Sequence, residues 1–382
     1  FPSQEIVKAV GSVVARLANG STLNGPYAEY RRPLKGVRAH EQMSAIARPT
    51  IHIVQLDSVK KSTDTTVVIA NTVFMDGDSL IYAGGQVEIT RPEIMATADS
   101  SFIDETTDMM HLMRQPVLKG TKSKPFTLTG DLIDLYSRKH KLQRVLSRAN
   151  AVAVSDSMTL KSDTIDLRVV NDLLDHAYAW GSKSRARVTS TSQNLLADSL
   201  DVAMPGQKIR LVRAVAHAFA EGKPDTVKFK VVPPDTTDWL KGDTIVAQFD
   251  SIPPKDTTKT PPIKLLVSVG GASSFYHLAP SDSGERRPGM NYVSAHRITI
   301  HFDDQRVATV TAEDSVRGLY VEPKPDTTHK AKTPPPAATK PGAKPETTPP
   351  KTPPPAKPPA KLPAKPPATP PASAVLLSKQ QP

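Results

Sequence analysis

Residues 128–135 read Leu-Thr-Gly-Asp-Leu-Ile-Asp-Leu, a stretch in which the alternation of apolar and polar side chains changes parity at the Gly-Asp step. Counted from Asp131, apolar or small residues stand at positions −3 and −1, and then at +2 and +4. An alternation with a period of two is typical of a β-strand with one covered face. The change of parity therefore predicts a bulge or corner within the strand.

The same pattern occurs eight times, which indicates one supersecondary unit stacked on itself. The Asp of each copy can accept backbone N–H groups that a bend leaves open, so we expect it to be a structural corner residue. A ladder of calcium ions is the alternative, because calcium binds clustered carboxylate oxygens. The five clear copies are Met75-Gly77-Asp78-Leu80-Tyr82, Leu128-Gly130-Asp131-Ile133-Leu135, Leu160-Ser162-Asp163-Ile165-Leu167, Leu195-Ala197-Asp198-Leu200-Val202 and Leu240-Gly242-Asp243-Ile245-Ala247, and the weaker ones are centred on Pro26, Asp99 and His296.

Between the copies lie stretches rich in Val, Ala and Leu, such as residues 142–154, which are predicted to be partner strands. Asp76-Gly77 and Gly84-Gly85 are predicted to be turns. Residues 5–18 and 208–220 are rich in Ala and also fit a helix by propensity, but their place in the repeat favours strands. The predicted fold is all-β, an open twisted β-jelly-roll or solenoid-like array of stacked antiparallel strands.

Proline and lysine separate the end of the chain from the rest. Residues 323–382 hold 20 of the 37 prolines and ten lysines, so they cannot bury a core and are predicted to be a disordered, extended polyproline II tail. This tail carries +8 of the net charge of +11, so the basicity does not indicate a folded nucleic-acid-binding surface. The predicted organisation is a β-array over residues 1–222, a continuation or second array over 223–323 with a loop insertion at 253–262, and a tail over 324–382.

Several classes of protein are disfavoured by what the sequence lacks. It contains no Cys, which excludes disulfides, Cys-ligated metals and thiol catalysis. It has no apolar run long enough to span a bilayer, so we expect a soluble chain. Because the sequence begins with Phe1, we expect that a leader has been removed or that the chain is a fragment.

No motif for catalysis stands out. His40-Glu41 begins like a zinc-protease motif, but Ser44 occupies the position of the second His. Gly270-Gly271-Ala272-Ser273 lacks the flanking pattern of a nucleophile elbow. Most carboxylates recur at equivalent positions of the repeat, which indicates scaffolding. We therefore expect no enzyme activity, no catalytic residues, no cofactor and no metal.

The series of small-Asp-x-apolar-x-apolar segments followed by Val- and Ala-rich strands resembles the OstA-like family of periplasmic lipopolysaccharide-transport proteins. Residues 77–82 with 85–89, and 130–135 with 149–154, carry the resemblance, which extends over about residues 1–323. Pro26 and His296 depart from the family pattern in the Asp position. The resemblance implies an open jelly roll whose interior holds the acyl chains of lipopolysaccharide.

The function that the resemblance implies is transport of lipopolysaccharide or a similar glycolipid toward the outer membrane. It implies a periplasmic protein, associated with the outer membrane, whose partners are the lipid and other transport-bridge proteins. Residues 6–17 and 316–321 are the candidate edge strands for adding such partners or a second copy of the chain. We also expect the lysines of the tail to meet an anionic envelope surface, and no nucleic-acid partner.

The side chains at +2 and +4 of each copy are predicted to face inward. Two readings of this inward face remain open: a groove for lipid, or a closed core in which the side chains fill each other's space. The second reading corresponds to a structural or adhesive β-solenoid of the cell envelope with no lipid cargo. The groove candidates are Leu80, Tyr82, Ile133, Leu135, Ile165, Leu167, Leu200 and Val202, with Val87 and Ile89 from a return strand.

Overall fold

The computed structural model describes residues 4–34, 40–57, 62–121, 125–155, 158–190, 193–224, 237–251, 261–278, 288–303 and 306–322. Within these ranges the chain is almost entirely β-structure, which confirms the predicted all-β fold, and the one helical element is a 3-10 turn at Pro205–Gln207. The same ranges contain no helix able to span a bilayer. The predicted tail, and residues 253–260 of the predicted insertion, lie outside them.

The chain runs back and forth in antiparallel passes, which we call rungs, and each rung pairs with the rungs before and after it in the sequence. Some rungs are single long strands that bend near their middle. These are β1 (Gln4–Arg16), β2 (Thr22–Pro33), β7 (Leu80–Thr90), β8 (Ile94–Asp104), β13 (Lys141–Ser155), β14 (Met158–Val170), β19 (Leu211–Gly222), β20 (Asp238–Phe249), β21 (Ile263–Leu278) and β22 (Gly289–Asp303).

The other rungs are interrupted at the bend, so each consists of two short strands. These are β3 (Gln42–Ile46) with β4 (Thr50–Asp57), β5 (Ser62–Ile69) with β6 (Thr72–Asp76), β9 (Met109–Met113) with β10 (Val117–Gly120), β11 (Phe126–Thr129) with β12 (Leu132–Arg138), β15 (Leu173–Trp180) with β16 (Ala186–Ser190), β17 (Gln193–Ala197) with β18 (Ser199–Ala203), and β23 (Arg306–Glu313) with β24 (Arg317–Val321).

The bends align from rung to rung and form a corner that folds the sheet into two halves. The long strand β13, for example, pairs with β12 before its bend and with β11 after it. The first half contains β3, β6, β9, β12, β15, β18 and β23, and the second half contains β4, β5, β10, β11, β16, β17 and β24. The long strands contribute one end to each half, and the apolar sides of both halves join in one core cluster.

The corner is built differently on alternate rungs. In β13, Ala149 and Asn150 both have positive φ, 57° and 56°, and together they stand opposite the single residue Asp163 of β14. In the same way, Gly270 and Gly271 of β21 stand opposite His296 of β22. Because two residues oppose one, the rung with the pair takes the longer path around the bend. The small-Asp segment is the shorter path.

One copy of the sequence pattern has a different structure from the others. Gly77-Asp78-Ser79 forms the hairpin turn between β6 and β7, so the assignment of Asp78 to the corner was wrong. An Asp-Gly pair between alternating strands is also a hairpin signal, and here the hairpin is formed. The bend of β7 lies at Gly85-Gln86, so the turn predicted at Gly84-Gly85 was wrong as well.

The two Ala-rich stretches are strands, as their place in the repeat predicted. Residues 5–18 mostly belong to β1, and residues 208–220 mostly belong to β19. β19 pairs with β20 on both sides of the bend, so the described rungs before and after residue 222 are joined by direct strand pairing. The division of the array at that residue stays a prediction.

The small residue before the corner Asp makes room for a serine of the next rung. Ser147 is fully buried and donates a hydrogen bond of 2.9 Å from its hydroxyl to the carbonyl oxygen of Thr129. A Cβ on Gly130 would collide with that hydroxyl. The arrangement recurs at Gly242, where buried Ser268 donates to the carbonyl of Lys241. The glycine is thus required by this close approach, since its own φ is not in the left-handed region.

We predict that Gly130→Ala lowers the free energy of unfolding by about 1–3 kcal/mol, because the added methyl group displaces Ser147 and its hydrogen bond. Urea denaturation measures the loss. Removing the colliding hydroxyl tests the cause: the double variant Gly130→Ala, Ser147→Ala should be less destabilised than the sum of the two single variants. Strict additivity would show that the collision is not the reason for the glycine.

Candidate functional site

The interior between the two halves is apolar from the first rungs to the last. Ile133 and Leu135 of β12 are at most 1% exposed, and they face the core from the first half. Leu118 of β10 and Leu128 of β11 are fully buried on the second half. The core cluster to which they belong runs without a break from Leu23 to Ile300. The corner produces this continuity, because it turns the apolar side of each rung inward on both halves.

The structure places most of the predicted groove residues in this interior, but two of them differ. Tyr82 is 43% exposed on the outer side of the sheet, and Leu80 is half-buried at the start of β7. Their inward orientation was predicted wrongly, because the Asp78 copy is a hairpin turn and the inward residues of β7 are Ile81 and Ala83. The predicted groove residues that are buried are Val87, Ile89, Ile133, Leu135, Ile165, Leu167, Leu200 and Val202.

Much of the second half's contribution to the interior was not predicted from the sequence. Ile51 and Ile53 of β4 and Ile94 of β8 are at most 2% exposed there. Their signal was the plain alternation of Ile51-His52-Ile53, which carries no Asp and was not part of the repeated pattern. The residue at −3, such as Leu128, was part of the pattern but was not proposed as a groove residue.

We call the side opposite the corner the mouth, because there the ends of the two halves approach each other. No backbone pairing between described strands joins the halves across the mouth. Two cavities lie at this side and hold about 20 Å³ each, which is room for a water and not for an acyl chain. One cavity is lined by Glu93, Ile94, Gly120, Phe126, Leu142, Val169, Asp172, Leu174 and Gln207.

A lipid chain could therefore occupy the interior only after the halves had moved apart. In the structure the interior is filled by the protein's own side chains, as the closed-core reading expects. The corner and the mouth differ in how they resist such a movement. At the corner the backbone is continuous, and at the mouth the described halves are in contact through side chains.

The corner carboxylates bind groups of the neighbouring rung. Asp163 accepts backbone N–H bonds from Lys183 at 2.7 Å and Ser184 at 3.2 Å, and the bond from Lys183 is the main reason that the pKa of this carboxyl is lowered. Asp198 contacts His217 and Arg185, each at 2.9 Å, and its pKa is lowered chiefly by the hydrogen bond with His217.

The other corner carboxylates have similar surroundings. Asp131 accepts a hydrogen bond of 3.2 Å from the amide of Asn150, and Asp243 lies against Gly270. Successive corner Asp residues are two rungs apart, which is roughly 10 Å at the usual strand spacing. Among the described residues no group of three His, Asp or Glu side chains is close enough to hold a metal ion. The hydrogen bonds favour the structural role over the calcium ladder.

The outer side of the first half carries an ionic network that the sequence analysis did not anticipate. Asp134 is fully buried and contacts His111 at 2.6 Å and the guanidinium of Arg148. Asp166 is nearly as buried and accepts two hydrogen bonds from Arg144, at 3.0 and 2.8 Å. The alternation predicted both carboxylates on a wet face, but arginine side chains of neighbouring rungs cover them.

Both ends of the array present strand edges. Val10 of β1 is 82% exposed, and Ile6, Val7 and Val14 of the same strand are also exposed. At the other end Leu319 of β24 is exposed. Among the described strands, β1 pairs with β2 alone, and β23 and β24 pair with β22 alone. These edges have free backbone donors and acceptors next to apolar side chains, which suits strand addition.

A comparison with solved structures finds the crystal structure of LptH, the LptA-homologous periplasmic component of the lipopolysaccharide transport device from Pseudomonas aeruginosa. The sequence identity is 15% and the TM-score is 0.27, and the match covers 44% of this chain and 95% of that chain. Similarity at this level assigns no activity. No protein-family model matches the chain, and a search of curated proteins finds no match.

We predict that Ile133→Ala lowers the free energy of unfolding by about 2–5 kcal/mol, because it leaves a cavity in the packed interior. Thr97→Ala, on the outer side of β8, is the control and should change stability by less than about 0.5 kcal/mol. Urea denaturation of both variants checks this. Equal, small effects would mean that the interior is not packed as the structure has it.

We predict that the loss of stability caused by Asp163→Asn depends on pH. The folded-state pKa of Asp163 is lowered from its ordinary value of 3.8, so its stabilising effect is fully present above that value. The effect disappears as the pH falls through the lower folded-state pKa. Thermal melts should therefore separate variant and wild type at pH 7 and converge in strong acid. Asp78→Asn, in the exposed hairpin turn, is the control and should melt like the wild type throughout.

Proposed function

We propose that this protein binds the acyl chains of a lipid in the interior between its two halves and passes the lipid along the rungs. The observation that carries the proposal is the apolar interior, which is continuous along the array and is bounded at the mouth by side chains and not by strand pairing. Such an interior can open without breaking the sheet, because every rung stays paired with its neighbours while the halves move apart.

Binding a lipid chain makes a favourable and an unfavourable contribution to the free energy. Burying a chain of a dozen methylene groups gains roughly 10 kcal/mol gross, at about 0.8 kcal/mol for each CH₂. Parting the halves removes contacts among side chains such as Ile133, Leu135 and Leu128, which the lipid chain then replaces. The gain is spread over many aliphatic side chains that offer no directional contact. This suits a carrier that must hold its cargo and also release it.

The proposed cargo is lipopolysaccharide or a similar glycolipid, carried through the periplasm toward the outer membrane. This finer assignment rests on the sequence pattern shared with the OstA-like family. The exposed edges at β1 and β24 support partners that add a strand, which are either other transport-bridge proteins or further copies of this chain. We propose no enzymatic step, because the proposed function is the movement of an intact lipid.

A second function is favoured by a specific observation, namely that the interior is already filled. A structural or adhesive array needs a packed core and ends that can bind other strands. The buried side chains and the exposed edge strands meet these two needs. Under this alternative the array is a rigid spacer in the cell envelope with no cargo. The two functions differ in whether lipid reaches the interior.

Photo-crosslinking distinguishes them. Phe126 lines one of the two cavities at the mouth, the one that contains Ile94 and Leu142. Its replacement by p-benzoylphenylalanine keeps an aromatic ring at that place. Lys119, exposed on the neighbouring strand, is the matched outward position. After irradiation with fluorescently labelled lipopolysaccharide, we expect lipid adducts at position 126 and few at position 119. Equal labelling of both positions, or of neither, would refute the carrier function and leave the structural one.

A further inference from the structure

Within the described part of the chain, the charged side chain of Arg91 crosses the mouth. Arg91 lies in the hairpin between β7 and β8, at the edge of the second half, and its guanidinium reaches the hairpin between β12 and β13, at the edge of the first half. It donates hydrogen bonds to the hydroxyl of Ser137 at 3.3 Å and to the carbonyl oxygen of His140 at 2.6 Å. Its side chain is only 9% exposed. Arg91 thus ties the free edges of the two halves together.

The partners of Arg91 are themselves held in place on both sides. On its own hairpin, Glu93 forms an ion pair with the guanidinium at 3.1 Å, which balances its charge. On the opposite hairpin, the ring of His140 contacts the carboxylate of Asp108 at 2.9 Å, and the backbone N–H of Ser137 donates to the carbonyl of Asp108. The Arg91 contact therefore joins two hairpins that each have further polar contacts of their own.

The two mouth cavities flank this contact. One contains Arg91, Ser137 and His140 in its lining. The other has Glu93 and Ile94 on one side and Leu142 and Val169 on the other. Each cavity holds about 20 Å³, so the packing at the mouth leaves small gaps beside Arg91. Ile94 and Leu142 of the second cavity belong to the core cluster.

We propose that Arg91 is a clasp that keeps the mouth closed, and that its release admits an acyl chain between the hairpins at residues 90–94 and 138–141. The inference rests on the proposed carrier function and adds the place and the gating residue. The acyl chain enters beside Ile94 and Leu142, and the guanidinium exchanges its two acceptors for water while the mouth is open. The hydrogen bonds to the charged group make the closed state the stable one, and the corner acts as the hinge.

The test uses Arg91→Met, which keeps a long side chain and removes the hydrogen bonds. Arg114→Met is the control, because Arg114 lies at the corner, far from the mouth, and is 79% exposed in its ion pair with Asp99. The wild-type chain has no Cys, so Thr121→Cys and Lys139→Cys allow two spin labels to be attached, one on each side of the mouth. Pulsed electron paramagnetic resonance then measures the width of the mouth without any lipid.

The second measurement is the rate at which cis-parinaric acid, a fluorescent fatty acid, binds in a stopped-flow instrument. We expect Arg91→Met to broaden the label distance toward longer values and to raise the association rate by about tenfold, the effect of losing hydrogen bonds to a charged donor. Arg114→Met should leave both unchanged. A melting curve for each variant shows that the chain is still folded.

The outcomes separate the clasp from the carrier function. If the mouth does not widen in Arg91→Met, the clasp is refuted whatever the binding rate. If the mouth widens and the fatty acid binds no faster, Arg91 does not gate access, although the carrier function stands as long as the wild type binds. If the mouth widens and neither protein binds the fatty acid, the carrier function is refuted and Arg91 is only a structural tie.

Discussion

The structure depends on the change of side-chain parity at the corner. A straight strand with a period of two can cover only one apolar face, and its other face stays in water. In this protein each rung bends near its middle. Because the alternation changes parity at the bend, the apolar side chains point inward on both sides of it. Leu128 and Ile133 lie on opposite sides of the bend in the same rung, and both pack in the same core. The two halves, the interior and the mouth all follow from that bend.

The corner is held together by short polar contacts that repeat along the array. Paired residues such as Ala149 and Asn150 take the longer path, and carboxylates such as Asp163 and Asp198 bind donors of the adjoining rungs. Gly130 and Gly242 have no side chain and so leave room for a buried serine of the next rung. These contacts join neighbouring rungs, so they stabilise the corner without linking the two halves. The corner is therefore stiff along the array and can still serve as a hinge between the halves.

The mouth has the opposite character. The halves meet there through side chains, among them Ile94, Leu142 and Arg91, and the described strands form no ladder across it. Hydrophobic contact is not directional, so a lipid chain can replace it at little net change in free energy. The same arrangement serves a closed structural array equally well as long as nothing enters. The difference between the two functions is therefore a difference in how readily the mouth opens.

The sequence by itself determined which side chains are buried on most rungs, because inside and outside follow from local alternation and its shift at the small-Asp step. Ile133, Leu135, Ile165 and Leu167 were predicted inward on this basis and are buried. The sequence also indicated the all-β class and the strand character of residues 5–18, because the repeat outweighs helix propensity there. The long apolar interior follows from these two results together.

Only the tertiary structure decided how similar local signals are used. Asp78 and Asp131 both follow a glycine and both precede apolar residues at +2 and +4, but one lies in a hairpin turn and the other at the corner, because the strands that they join pair differently. The pairs of residues with positive φ at the bends, such as Ala149-Asn150 and Gly270-Gly271, have no residue type that is common to all of them, since the opposing rung imposes their conformation. The Arg91 contact joins residues more than 40 positions apart, and a local pattern carries no information about partners brought together only by folding.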